Sequence, residues 1–130
     1  MLVDELIALE KRKYDPWYGE ASPTAYLESL AEDSTYFDPW IAKKLRGTEV
    51  TEYITRLAET VPPLEYEIVD ASADRRGDIV ILTYSIAHLP DAETGEVVPP
   101  WMVTKILSEV GDGWEVIHTH YGLPVPVSPP

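Results

Sequence analysis

At Val61-Pro62-Pro63 the hydrophobic rhythm of this chain changes, and that change constrains its fold more than any other feature. Upstream, apolar residues recur at the spacing of a helix face; downstream, they alternate with polar ones at the period of a strand. Val50, Tyr53, Ile54, Leu57 and Ala58 form the cleanest helical stripe, and the two prolines stop it. Leu64, Tyr66 and Ile68 then alternate with Glu65 and Glu67, which is the pattern of a half-solvated strand. Ile79 to Ile86 is almost continuously apolar and rich in β-branched residues, so it reads as a central strand covered on both faces. After a loop over residues 90–100, Trp101 to Val110 and Trp114 to Tyr121 read as two more strands. Gly111-Asp112-Gly113 joins them in a tight turn, where glycine supplies the positive φ.

Ahead of the switch, Leu2, Val3, Leu6, Ile7 and Tyr14 lie on one helical face, with Asp4, Glu5, Glu10, Lys11 and Arg12 opposite. Pro16 is expected to end or bend this first helix. A short second helix is predicted from Ser22-Pro23, with Ser22 as cap and Tyr26, Leu27 and Leu30 as its buried stripe. A strand ending at Asp38 follows, and Gly47-Thr48 opens the third helix. Helices segregated ahead of strands imply an α+β fold, with a curved, mostly antiparallel sheet wrapped around the first helix. Residues 1–123 read as a single domain and 124–130 as a polyproline-like tail.

The formal net charge of −13, with only 10 Lys and Arg, argues against nucleic acid and against anionic membranes. A neutral, cationic or largely apolar ligand suits that field better. No Cys is present, which removes disulfides, thiolate nucleophiles and Cys-ligated metals. The N-terminus lacks a basic region followed by an apolar core, and no apolar run is long enough to span a bilayer, so a cytoplasmic location is expected.

The stretch Ser34-Thr35-Tyr36-Phe37-Asp38-Pro39-Trp40 sets a carboxylate among aromatic rings. An apolar surround penalises the charged form of an acid, as a general base working near neutral pH requires. The alternative is a turn role for Asp-Pro. His118 and His120 lie two apart on one strand, expected to share a face with Trp114 and Val116, and with His88 they raise a three-His metal site. The plainer reading, and the one adopted, puts them in a sheet-to-sheet interface with no metal. Lys105 stands on an otherwise apolar strand, either as a buried group with a lowered pKa or, more plainly, facing solvent or paired with a carboxylate.

Four sets of residues give the chain a resemblance to the SnoaL-like branch of the nuclear transport factor 2-like superfamily. They are Tyr36-Phe37-Asp38-Pro39 with Arg46-Gly47 opening helix three, Trp101 with Thr104, Gly113-Trp114 with His118, His120 and Tyr121, and Tyr18 with Pro23 before helix two. The resemblance implies a cystatin-like cone with a pocket at its open end and a homodimer formed through the outer sheet face. Ketosteroid isomerase shares this fold, and its resemblance implies Tyr14 as an oxyanion donor and Asp38 as the base. The isomerase's further acid on the penultimate strand is replaced here near Thr104 or Lys105, so steroid isomerisation itself is not expected. By analogy with hub domains of the superfamily, Glu115, Ile117, Thr119 and Tyr121 would face the cavity.

The expectation is therefore a cofactor-independent cavity for a small apolar or aromatic organic molecule. Asp38 and Tyr14 are the candidate catalytic pair for an isomerase, cyclase or lyase-type step. Trp17, Tyr18, Tyr36, Trp40, Trp101, Thr104, Thr119 and Tyr121 are the candidate ligand contacts. The competing expectation is a non-catalytic ligand-binding or dimerisation module.

Overall fold

A computed structural model describes residues 1–89, 93–95, 99–124 and 128–129. Two helices, α1 (Leu2–Glu20) and α2 (Thr24–Glu28), lead into strand β1 (Leu30–Phe37) and a short β2 (Leu45–Arg46). Helix α3 (Thr48–Ala58) precedes the long strands β3 (Tyr66–Arg76), β4 (Ile79–His88), β5 (Trp101–Val110) and β6 (Gly113–Gly122). One six-stranded sheet has the order β2-β1-β6-β5-β4-β3. Every pairing is antiparallel except β1 with β6, so the first long strand is inserted beside the last. Most of the predicted tail and of the 90–100 loop lies outside the described residues.

Helix α1 buries Leu6, Glu10, Lys13, Tyr14, Trp17 and Tyr18. These positions are three and four apart, the geometry of one helix face. Glu10, expected on the solvent side, is thus in the core stripe, while Leu2 and Ile7 are only partly covered. Pro16 does not end the helix. It forfeits one backbone hydrogen bond, and the burial of Tyr14, Trp17 and Tyr18 on either side holds the last turn in place. The helix ends at Ala21, in the left-handed region with φ 53°, where the Ser22 N–H returns to the Pro16 carbonyl at 3.1 Å. Ser22 makes no cap bond; Pro23 occupies the cap position of α2, and Leu30 belongs to β1.

Strand β4 is covered on one face only. Val80, Leu82, Tyr84, Ile86 and His88 are buried, whereas Ile81 is 38% exposed. Its apolar run reflects β-branched residues on both sides of the strand, not two covering layers. Two irregularities bend the sheet. In β3 the register with β4 slips between Val69 and Ser72, around Asp70 at φ 54°. In β6 it slips so that Ile106 faces His118 and Leu107 faces Val116, leaving Ile117 as the extra residue. Such bulges increase local bend and twist, which curls the sheet over α1. The slip at Ile117 also exchanges faces: Val116 points inward, and beyond the bulge it is Thr119 and Tyr121 that do so.

Candidate functional site

A cavity of about 320 Å³ lies between α1, the C-terminal part of α3 and the inner face of the sheet. Helix α1 supplies Tyr14, Trp17 and Tyr18, one helix turn of aromatic rings forced inward by their spacing. From β1 and the residues after it come Tyr36, Asp38 and Trp40. Trp101 and Tyr121 enter from β5 and β6, and the apolar floor is completed by Ile54, Leu57 and Leu64. Trp40 is 63% exposed and packs edge-on to Trp101 at 5.0 Å, so these two rings stand at the cavity rim.

Asp38 is only 6% exposed although it follows directly on the end of β1. Its Oδ2 accepts hydrogen bonds from the hydroxyls of Tyr36 and Tyr53, each at 2.7 Å. Its Oδ1 accepts the backbone N–H of Trp40 at 2.8 Å. The turn role and the cavity position thus coexist in one side chain: one oxygen fixes the turn and the other binds two phenols. Tyr53, on α3, is a partner that the helical stripe alone marks only as core.

Behind the aromatic wall is a buried charge cluster. Glu10 Oε1 meets the Lys105 ammonium at 2.7 Å, and Glu10 Oε2 pairs with Lys13. Glu10 and Lys105 are both 0% exposed. Burial pushes the Glu10 carboxyl up, but Lys105 first and then Lys13 outweigh it and hold it down at about 2. Burial brings Lys105 down to about 8, against the pull of Glu10 and with the push of Lys13. The Lys105 ammonium also lies over the rings of Tyr26 and Tyr14, 4.6 and 5.1 Å from their centres. Lys105 therefore pairs with a carboxylate, as one of the readings had it, but deep in the core and away from solvent.

A chain of phenols links this cluster to the cavity. Tyr84 donates to Glu10 Oε1 at 2.7 Å; Tyr14 lies 2.7 Å from both Tyr84 and Tyr121; Tyr121 lies 3.0 Å from Tyr26. Burial pushes Tyr14, Tyr84 and Tyr121 far above the ordinary phenol range, so each keeps its single proton. An ionised Glu10 only accepts. Tyr84 must then give its proton to Glu10, Tyr14 to Tyr84, Tyr121 to Tyr14 and Tyr26 to Tyr121. Glu10 and Tyr26 were not singled out from the sequence as site residues, and Tyr84, which as an aromatic could have walled the pocket, stands behind the lining instead. The usable signal was the spacing of Leu6, Glu10, Tyr14 and Tyr18, four residues apart along one face.

Eight of the expected site residues line the cavity: Asp38, Tyr14, Trp17, Tyr18, Tyr36, Trp40, Trp101 and Tyr121. Thr104 does not. It pairs across the sheet with Thr83 and His120 on the outer face, because its neighbours Val103 and Lys105 take the inner one. Thr119 faces inward but is sealed in the core at 1% exposure, away from the cavity lining. The bulge at Ile117 also separates His118 and His120 from Val116 and places them on the outer face. There Phe37 packs against both, and Thr35 Oγ1 lies 2.7 Å from His118 Nδ1. His88 is on the inner face, its Nε2 3.1 Å from the Tyr18 hydroxyl, and burial pushes it below the usual imidazole range. The three histidines thus occupy opposite sides of the sheet, and no metal-binding group of His, Asp or Glu occurs among the described residues. No helix among them is long and apolar enough to cross a membrane.

Residues 13–126 match the family model described as the SnoaL-like domain. No curated protein matches the chain. Among solved structures, a candidate ketosteroid isomerase from Parabacteroides distasonis is 22% identical, with a TM-score of 0.78 over 97% of this chain and 90% of that one. A nuclear transport factor 2-like protein of unknown function from Pseudomonas putida superposes with a TM-score of 0.80 at 18% identity, over 96% and 88% of the two chains. The calcium/calmodulin-dependent protein kinase type II hub of S. rosetta gives 0.71 at 15% identity, over 92% and 94%. At these identities the likeness is one of fold, the cystatin-like, nuclear transport factor 2-like α+β architecture.

Proposed function

The chain belongs to the SnoaL-like domain family, and from that premise we propose that it binds a small apolar or aromatic organic molecule, with Asp38 as the polar anchor. The observation that carries this reading is a cavity of about 320 Å³ walled by Tyr and Trp rings with one carboxylate among them. That volume is at the lower end of the ~300–1,000 Å³ of small-molecule sites, room for a compact ring compound. Asp38 has one Oδ1 lone pair free of the protein's own donors, since a carboxylate offers roughly four acceptor positions. Titration calorimetry with the neutral indole tryptophol is expected to show saturable one-to-one binding. Leu57→Trp, which fills the floor, is expected to abolish it; absence of binding to the wild type would overturn the reading.

A second reading, supported by Asp38 and Tyr14 lining the same cavity, makes Asp38 a general base for proton abstraction next to a carbonyl. It predicts that the protein accelerates exchange of such protons into D₂O, followed by NMR, and that Asp38→Asn loses this by ~10²-fold or more. Equal exchange rates for wild type and variant would leave binding alone. The outer sheet face is proposed as a homodimer surface, with Ile81 and Met102 38% and 51% exposed upon it.

A further inference from the structure

We infer that the cavity is built for a ligand whose polar head donates hydrogen bonds, a protonated amine on an aromatic frame, in preference to a carboxylate or other oxyanion. The inference rests on the binding reading above and names its ligand class.

Glu10 is locked in its ionised form by two ammonium groups, so the phenol chain is polarised toward it, away from the cavity. Tyr14 and Tyr121, which line the cavity, have given their protons to Tyr84 and Tyr14, and Tyr26 has given its own to Tyr121. Tyr36 has given its proton to Asp38. What these four tyrosines offer a ligand is oxygen lone pairs and ring faces, both of which attract a cation that donates. Asp38 adds a formal negative charge with an acceptor position left over. The other donors around the cavity are neutral: the indole N–H groups of Trp17, Trp40 and Trp101, and the Tyr18–His88 pair.

Two charges act against a cation. Lys13 and Lys105 exceed Glu10 by one positive charge behind the tyrosines. Both pair with that one carboxylate, Lys105 with Oε1 at 2.7 Å and Lys13, its side chain 8% exposed, with Oε2. The surrounding chain carries a net charge of −13. An oxyanion, by contrast, meets no Lys or Arg among the lining residues, only neutral N–H donors, and from the phenol chain it has to take a proton that is already in use. For Tyr121 to donate to it, the bond from Tyr121 to Tyr14 must break inside the protein.

The test compares three probes that share an indole ring: tryptamine, tryptophol and indole-3-propionate. Binding is measured by titration calorimetry at neutral pH and high salt, where attraction to the acidic surface is screened. Tryptamine is expected to bind ~10-fold or more tightly than indole-3-propionate, the fold-change of about one net hydrogen bond. Tyr84→Phe removes the link to Glu10 and lets the phenol chain reverse, so indole-3-propionate is expected to gain affinity in that variant and the preference to shrink. Asp38→Asn is expected to weaken tryptamine more than it weakens tryptophol, because it removes the charge that only the amine meets. Indole-3-propionate binding the wild type as tightly as tryptamine overturns the inference even if both variants fail to fold, while tryptophol binding then still supports the cavity reading. If none of the three binds, the cavity reading fails and this inference falls with it.

Discussion

Burial raises the cost of ionising Glu10, yet Lys105 and Lys13 reverse the balance and bring its carboxyl from 4.5 to about 2. Because the folded value is depressed, the stabilisation is complete above pH 4.5 and is lost as pH falls from there toward 2. Its size is on the order of 3 kcal/mol. Urea denaturation across that window is expected to show the loss in the wild type, and the difference from Glu10→Gln is expected to narrow by a similar amount. At neutral pH Glu10→Gln is expected to cost ~3–5 kcal/mol, because it leaves two ammonium groups facing each other without their carboxylate. Equal urea midpoints for the two proteins at neutral pH would remove the cluster from the account of stability. The same residue also explains why Tyr14 is unlike an oxyanion donor in the resting fold. Its proton is drawn toward Glu10 through Tyr84. Aromatic company marked Asp38 in the sequence and the resemblance to ketosteroid isomerase marked Tyr14, but which way a phenol points its proton depends on its partner, here Tyr84, 70 positions away.

Helix α3 is attached to β2 through Gly47, whose φ of 60° and ψ of −122° suit only glycine. A Cβ there would also lie 3.3 Å from the Glu32 carbonyl oxygen on β1. Gly47→Ala is therefore expected to lower stability by ~1–3 kcal/mol, measured by denaturant unfolding. A displaced α3 would pull Tyr53 from Asp38, so binding of tryptophol is expected to weaken as well. An unchanged unfolding midpoint would show that the position tolerates a side chain. The Gly47-Thr48 boundary and the α3 stripe were legible because a strong period and a glycine coincide there. Helix α1 was legible as a helix but not in its ending or its burial. Tertiary packing carried it past Pro16 and turned a charged residue inward.

For the whole molecule, the outer sheet face bears the oligomer prediction. Sedimentation equilibrium is expected to give a dimer at micromolar concentration and Ile81→Glu a monomer; a wild-type monomer would rule out the outer-face dimer. The α+β class, the order of long elements and the placing of Asp38 at the end of β1 follow from the sequence, because hydrophobic period and turn residues act over neighbouring positions. The insertion of β1 beside β6, the exchange of faces at Ile117, the exclusion of Thr104 from the cavity and the assembly of Glu10, Lys105 and Tyr84 were decided only by the tertiary structure. A one-residue bulge reverses every side chain beyond it, and a buried charge is tolerated only where distant residues bring the opposite charge to meet it.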